Sequence, residues 1–191
     1  MAHGLFMKFD AAIRSLLLMA AFKSIEQHLR GTRHEPDASN QNPVLHEMCA
    51  SFVTLKRHGV LRGCIGTLEP KRTLLQDVVA NARAAAYEDP RFPPLTAPEL
   101  ENLQIEISVL TTTESIDVRS RVHLLKMLNP RVDGLTVQDG RRRATFLPSV
   151  WNSLPEPEDF YDALMRKAGF GRNYWSSNLK FFRYHTESFG N

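Results

Sequence analysis

The sequence predicts an α+β protein in which a hairpin–helix–strand unit occurs twice, and three observations carry that prediction. Short segments of alternating apolar and polar residues are interleaved with segments of helical period. The order hairpin, helix, strand runs over about 44–115 and again over 130–186, after an N-terminal helix at 10–30. Laying Gly59 on Gly140 also puts Arg62 on Arg143 and Cys64 on Thr145, and brings the helix at 73–88 near the one at 158–168. Two such units are expected to form a mixed sheet flanked by helices, in one domain over 10–186. A groove between the halves would be a natural ligand site.

Residues 10–30 place Ile13, Leu16, Leu17, Ala20, Ile25 and Leu29 near helical spacing, with Asp10 as N-cap and Gly31 just past the end. The polar stretch 31–43 reads as a surface loop. Residues 52–66 form the first hairpin. A three-residue loop at 57–59, with Gly59 left-handed, would pair Leu55 with Leu61 and Val53 with Gly63. Val53, Leu55, Leu61 and Ile65 then share one face, and Thr54, Lys56, Arg62 and Cys64 the other. Gly63 and Gly66 leave bare backbone, a sign of close approach by another segment or a ligand. Thr73 with Gln76 makes a capping box for a helix over 73–88, whose alanines suggest close packing on the sheet.

The run Asp89-Pro90-Arg91-Phe92-Pro93-Pro94-Leu95 is a stiff extended loop, because its prolines fix φ and remove donors. Gln104 to Leu110 alternates as a strand, and 121–128 is a short helix. Residues 134–147 form a second hairpin turning at Asp139-Gly140, with Leu135, Val137, Ala144 and Phe146 on its apolar face. Pro155 and Pro157 introduce a helix from Glu158 to Ala168 that Gly169 caps. Leu179 to His185 is the final strand.

The chain has 191 residues, 42% of them hydrophobic, which is enough to bury a core. A formal net charge of +3 is too small to argue for nucleic acid. Two cysteines, Cys49 and Cys64, fit reduced thiols better than a disulfide scaffold. The apolar run 15–22 lacks the flanks and cleavage site of a signal peptide, and no run is long enough to span a bilayer. A cytoplasmic protein is therefore expected.

Leu61-Arg62-Gly63-Cys64-Ile65-Gly66 resembles the signature of the AMMECR domain family, known in bacteria and archaea as AmmeMemoRadiSam system protein A. The likeness continues through Asn81-Ala82-Arg83-Ala84-Ala85-Ala86, the Asp89–Leu95 loop and Ile105-Glu106-Ile107-Ser108-Val109-Leu110. It then takes in Val132-Asp133-Gly134-Leu135, Ala144-Thr145-Phe146-Leu147-Pro148 and Arg166-Lys167-Ala168-Gly169. The resemblance implies a duplicated α+β fold with a single barrel-like sheet. It also implies association with a Memo-type protein and a radical S-adenosylmethionine enzyme. It supplies no reaction and no cofactor. Glu47-Met48-Cys49-Ala50-Ser51 departs from the shorter lead into the strand that the family commonly has.

Cys64 is the sharpest candidate for chemistry. A thiolate is a strong nucleophile, and Arg62, two residues away on the same strand face, would lower a thiol pKa. The alternative is an inert buried thiol, favoured because no histidine stands at a recognisable spacing and His58 lies too far along the hairpin. Glu69 is a candidate proton acceptor or a solvated loop acid. Arg83 and Arg91 read equally as an anion site or as structural partners, and Asp89 reads as structural. Arg62 and Arg143 together would clamp a phosphate or carboxylate, or else are two exposed strand arginines. His46-x-x-Cys49 lacks two further metal ligands. The run Arg141-Arg142-Arg143 points to alternate strand faces, so nucleic-acid binding is disfavoured. Trp151, Trp175 and Phe92 are expected in a core or interface. The leading reading is a groove beside Arg62 and Cys64 for an anionic small molecule or a partner; the alternative is a non-enzymatic scaffold.

Overall fold

The computed structural model describes residues 9–32 and 42–191; most of the loop expected at 31–43 lies outside them. In chain order the helices are α1 (Ala11–Leu29), α2 (Pro43–His46), α3 (Leu74–Tyr87), α4 (Arg121–Met127) and α5 (Pro157–Lys167). The strands are β1 (Met48–Cys49), β2 (Ser51–Arg57), β3 (Val60–Gly66), β4 (Arg72–Thr73), β5 (Leu103–Leu110), β6 (Glu114–Ile116), β7 (Gly134–Asp139), β8 (Arg142–Phe146), β9 (Lys180–Tyr184) and β10 (Thr186–Gly190). Two 3₁₀ turns, Ala97–Asn102 and Pro148–Asn152, complete the set. β10 was not anticipated from its sequence.

The chain divides into two compact units, Met1–Leu110 with Glu187–Asn191, and Thr111–Thr186. In the first, a sheet of order β10-β5-β2-β3 lies beside a two-stranded β1-β4 ladder. In the second, the order is β6-β9-β7-β8. The expected barrel-like mixed sheet does not form among the described residues. The strands sort into separate open sheets, and β2 runs antiparallel to both β3 and β5, as β7 does to β8 and β9. Short hairpins and a return after one helix favour this arrangement, since a parallel pair needs a crossover.

Several elements form where local chemistry dictates. Asp10 caps α1 by accepting from Ile13 N at 2.8 Å, and Gly31 takes φ +72° after its end. Gln76 Oε1 accepts from Thr73 N at 3.3 Å, closing the capping box of α3. Leu135 pairs with Phe146 and Val137 with Ala144, as the alternation requires.

The first hairpin differs in its loop. His58 and Gly59, at φ +50° and +76°, form a two-residue turn, and the register shifts between Leu55 and Lys56. Leu55 faces Gly63 and not Leu61 as the three-residue loop would require, Lys56 faces Leu61 and Arg57 faces Val60, which leaves Arg62 as the extra residue of a bulge. Leu61 is consequently 39% exposed and does not join Val53 and Leu55 in the core. The tight turn has the twist that adjacent strands need, and the bulge restores the alternation of faces. Val53 lies opposite Ile65 and not Gly63, and Thr54 opposite Cys64, a shift of two residues that keeps Val53 and Leu55 on one face and Thr54 and Cys64 on the other.

Each unit has its own apolar core. In the first, α1 and α3 pack Leu17, Ile25, Val78 and Ala82 on Val53, Leu55 and Ile107. In the second, Trp151 stacks on Phe160 with ring centroids 3.7 Å apart, among Leu135, Val137, Leu164 and Phe181. Trp151 is thus a core residue as expected, whereas Trp175 is 38% exposed.

Candidate functional site

β3 is the edge strand of its sheet, so the outward backbone groups of Cys64 have no neighbouring strand. The proline loop supplies their partners. Asp89 Oδ2 accepts from Cys64 N at 2.9 Å, and Arg91 Nη2 donates to Cys64 O at 3.3 Å. Asp89 and Arg91 join through two further bonds, Nε to Oδ1 at 2.9 Å and Nη2 to Oδ2 at 2.7 Å. The loop therefore does for β3 what another strand would do. The Asp89 side chain is only 2% exposed. The Arg91 guanidinium holds its carboxyl far below the ordinary range against the opposing effect of burial, and the N–H groups of Cys64 and Arg91 add to the lowering.

Arg62 makes a second clamp. Its Nε and Nη2 donate to Glu99 Oε1 and Oε2 at 2.7 and 3.2 Å, and Nη2 also donates to Pro93 O at 2.9 Å. Glu99 caps the 3₁₀ turn by accepting from Thr96 N and Oγ1. Both side chains are largely buried, at 12% and 15% exposure. The Arg62 hydrogen bond, opposed by burial and reinforced by Thr96, brings the Glu99 pKa down to about 2. The guanidiniums of Arg62 and Arg91 lie 5.9 and 5.5 Å from the centroid of the Phe92 ring.

The Cys64 thiol is half-buried and accepts from Thr54 Oγ1 at 3.3 Å. It belongs to the same cluster as Arg91, whose side chain is 55% exposed. Cys49, by contrast, is buried, and that burial, with Glu47 and Asp77 nearby, pushes its thiol up to about 11. Of the two cysteines, Cys64 is thus the more exposed.

The proline loop joins Arg62, Cys64 and Arg91 through its hydrogen bonds to β3. Arg83 on α3 lies 3.8 Å from Glu88. Glu69 sits in the connection after β3, 3.8 Å from Lys71. Arg143 belongs to the second unit, on β8 opposite Gln138. Among the described residues, His46 and Cys49 belong to no group of three or more His, Cys, Asp or Glu able to hold a metal. Gly63 is bare because a Cβ there would stand 2.0 Å from Ala85 O, so the close approach is by α3 and not by a ligand.

Sequence reasoning missed Glu99, although Thr96-x-x-Glu99 has capping-box spacing and would have located it. It also missed two buried carboxylates, for which no local signal exists. Asp77 accepts from Ser51, Thr67, Arg72 and Asn81. Asp133 accepts from Asn129 N at 2.8 Å and lies 3.0 Å from His185 Nε2.

The profile described as AMMECR1 matches residues 18–189, which contain this whole cluster. The chain belongs to the AMMECR1 family. A protein of Methanothermobacter thermautotrophicus is 34% identical over 175 residues, covering 91% of each chain. One from Thermofilum pendens is 35% identical and covers 95% of this chain and 91% of its own. The crystal structure of an uncharacterised protein from Pyrococcus horikoshii superposes with a TM-score of 0.84 at 33% identity, over 91% of this chain and 89% of that one. Leu61–Gly66 is in this chain an edge strand fastened by Asp89 and Glu99.

Proposed function

We propose that this AMMECR1-family chain binds an anionic small molecule, or an acidic partner surface, at the edge of β3, with Cys64 and Arg91 making the contact. One observation carries the reading: a half-buried thiol lies on the residue whose carbonyl accepts from Arg91, a guanidinium that is more than half exposed. Arg62 serves by holding the loop through Glu99, and Arg83 is a further candidate contact. Glu69 is retained as a proton acceptor only if Cys64 proves catalytic. Work alongside a Memo-type protein and a radical S-adenosylmethionine enzyme, in the cytoplasm, belongs to the same proposal. No helix among the described residues is long and apolar enough to cross a membrane.

Reading the two units as a duplication is supported by their sheet orders. In each, the second hairpin strand is at the edge, the first lies beside it, and the strand after the helix comes next. On that reading Arg143 is the counterpart of Arg62.

Iodoacetamide labelling with peptide mapping tests the site. Cys64 is expected to label at neutral pH well ahead of Cys49, and pyrophosphate or a dicarboxylate to protect it. Labelling of Cys64 no faster than Cys49 would refute an accessible site. A second reading, a non-enzymatic scaffold, is favoured by the packing role of Gly63 and the structural bonds of Asp89, Arg62 and Glu99. Cys64→Ser distinguishes the two: it abolishes turnover if the thiol reacts and leaves partner binding intact if the strand is structural.

A further inference from the structure

A second candidate site lies in the Thr111–Thr186 unit, on residues distinct from the Cys64 cluster. A cavity of about 370 Å³ opens between α5 and the segment after it, lined among others by Tyr161, Arg166, Arg172 and Tyr174. An adjoining cavity of about 240 Å³ is lined by Arg119, Arg121 and Trp175 and shares Tyr161, Asn173 and Tyr174 with the first. The shared walls make them one groove, of the size that small-molecule ligands occupy.

Its chemistry is lopsided. Four arginines line the groove against one acid, Asp162, and Asp162 is already paired with Arg121 at 3.0 Å. Among the described residues, the side chains of Arg119, Arg166 and Arg172 have no ion-pair or hydrogen-bond partner. Uncompensated guanidiniums around a concavity favour an anion, and their planar fork suits phosphate.

The walls are flat rings already held in place. Tyr174 stacks on Phe170, with centroids 4.8 Å apart and planes inclined by 13°. Arg142 lies over both rings, 4.3 Å from Phe170 and 5.0 Å from Tyr174, and donates to Tyr174 Oη. Tyr174 Oη in turn donates to Asp139 Oδ2 at 2.7 Å. A ring fixed this way loses little freedom when a second ring stacks on it. Trp175 is the only exposed aromatic side chain among the described residues. One exposed ring suits one base better than a run of bases, which would need successive platforms.

We propose that this groove binds a nucleoside phosphate, its base against Tyr174 and Trp175 and its phosphate on Arg166 and Arg172. The proposal is independent of the Cys64 site.

Tryptophan fluorescence of the full chain tests it, because the only other tryptophan, Trp151, is 1% exposed and shielded. Adenosine monophosphate is expected to quench Trp175 saturably, with binding weakened by added salt. Calorimetry should show Arg166→Gln and Arg172→Gln each weakening binding about tenfold, with unchanged unfolding midpoints. Arg→Lys variants at the same positions should retain part of the affinity. Adenosine and inorganic phosphate, each with half the recognised chemistry, should bind more weakly than the nucleotide. No saturable binding, or glutamine variants that bind like the parent, would overturn the proposal. A decanucleotide binding more tightly per site than the mononucleotide would also overturn it, assigning the groove to a strand.

Discussion

Glu99 shows how one residue converts charge into architecture. It receives Arg62 in a two-point bond and, through Thr96, holds the turn that leads into β5. Its folded-state pKa is depressed to about 2 from the ordinary 4.5. The unfolded chain therefore takes up the proton first on acidification, and the stability Glu99 contributes is complete above about pH 4.5 and lost as the pH falls toward 2. Asp89 acts in the same direction. Urea unfolding from pH 7 to pH 2 should show stability falling below about pH 4.5, and Glu99→Gln should flatten part of that slope. An unchanged slope in the variant would contradict the assignment. Arg62→Ala leaves Glu99 largely buried with its main partner gone and should cost about 3 kcal/mol. Its unfolding midpoint measures this directly, and a midpoint matching the parent would return Arg62 to the role of a free ligand contact.

At the scale of the element, β3 and α3 are fitted backbone to backbone. Gly63→Ala would place a methyl 2.0 Å from the Ala85 carbonyl oxygen, a main-chain atom that cannot rotate aside. The expected loss is about 3 kcal/mol. Gly59→Ala meets nothing within 4 Å and strains only the left-handed turn, at about 1 kcal/mol. Denaturant midpoints for the pair should rank in that order, and equal losses would show that the strand and helix do not touch so closely. The sequence made much of this element legible. Gly59 marks the turn, Thr73 and Gln76 mark the start of α3, and the alanines mark a close-packed face. It did not reveal the two-residue turn and bulge, because together they shift the pairing by two residues and leave Val53, Leu55 and Cys64 on the faces a three-residue loop would give them.

For the whole molecule, the two cores share no residue: Leu17, Val53 and Val78 belong to one, and Leu135, Trp151 and Phe160 to the other. Truncating either should loosen its own unit. Val78→Ala is expected to raise amide hydrogen exchange in β2, β3 and β5 first, and Phe160→Ala in β7, β8 and β9. Each truncation should cost about 2–4 kcal/mol. Uniform loss of protection across both units from either variant would show a single cooperative core instead.

By itself the sequence determined what depends on near neighbours: the caps of α1 and α3, the Asp139-Gly140 turn, the alternation of β7 and β8, and the kinship with the AMMECR1 family. These follow from backbone preferences and spacings that act within a few residues. Tertiary structure alone decided that Arg62 answers Glu99, that Asp89 completes the edge of β3, that Arg166, Arg172 and Tyr174 line one cavity, and that Arg119 and Trp175 line its neighbour. The reason is that charge pairing and desolvation depend on separation in space. Residues 62 and 99, or 119 and 175, have no spacing along the chain that announces their meeting.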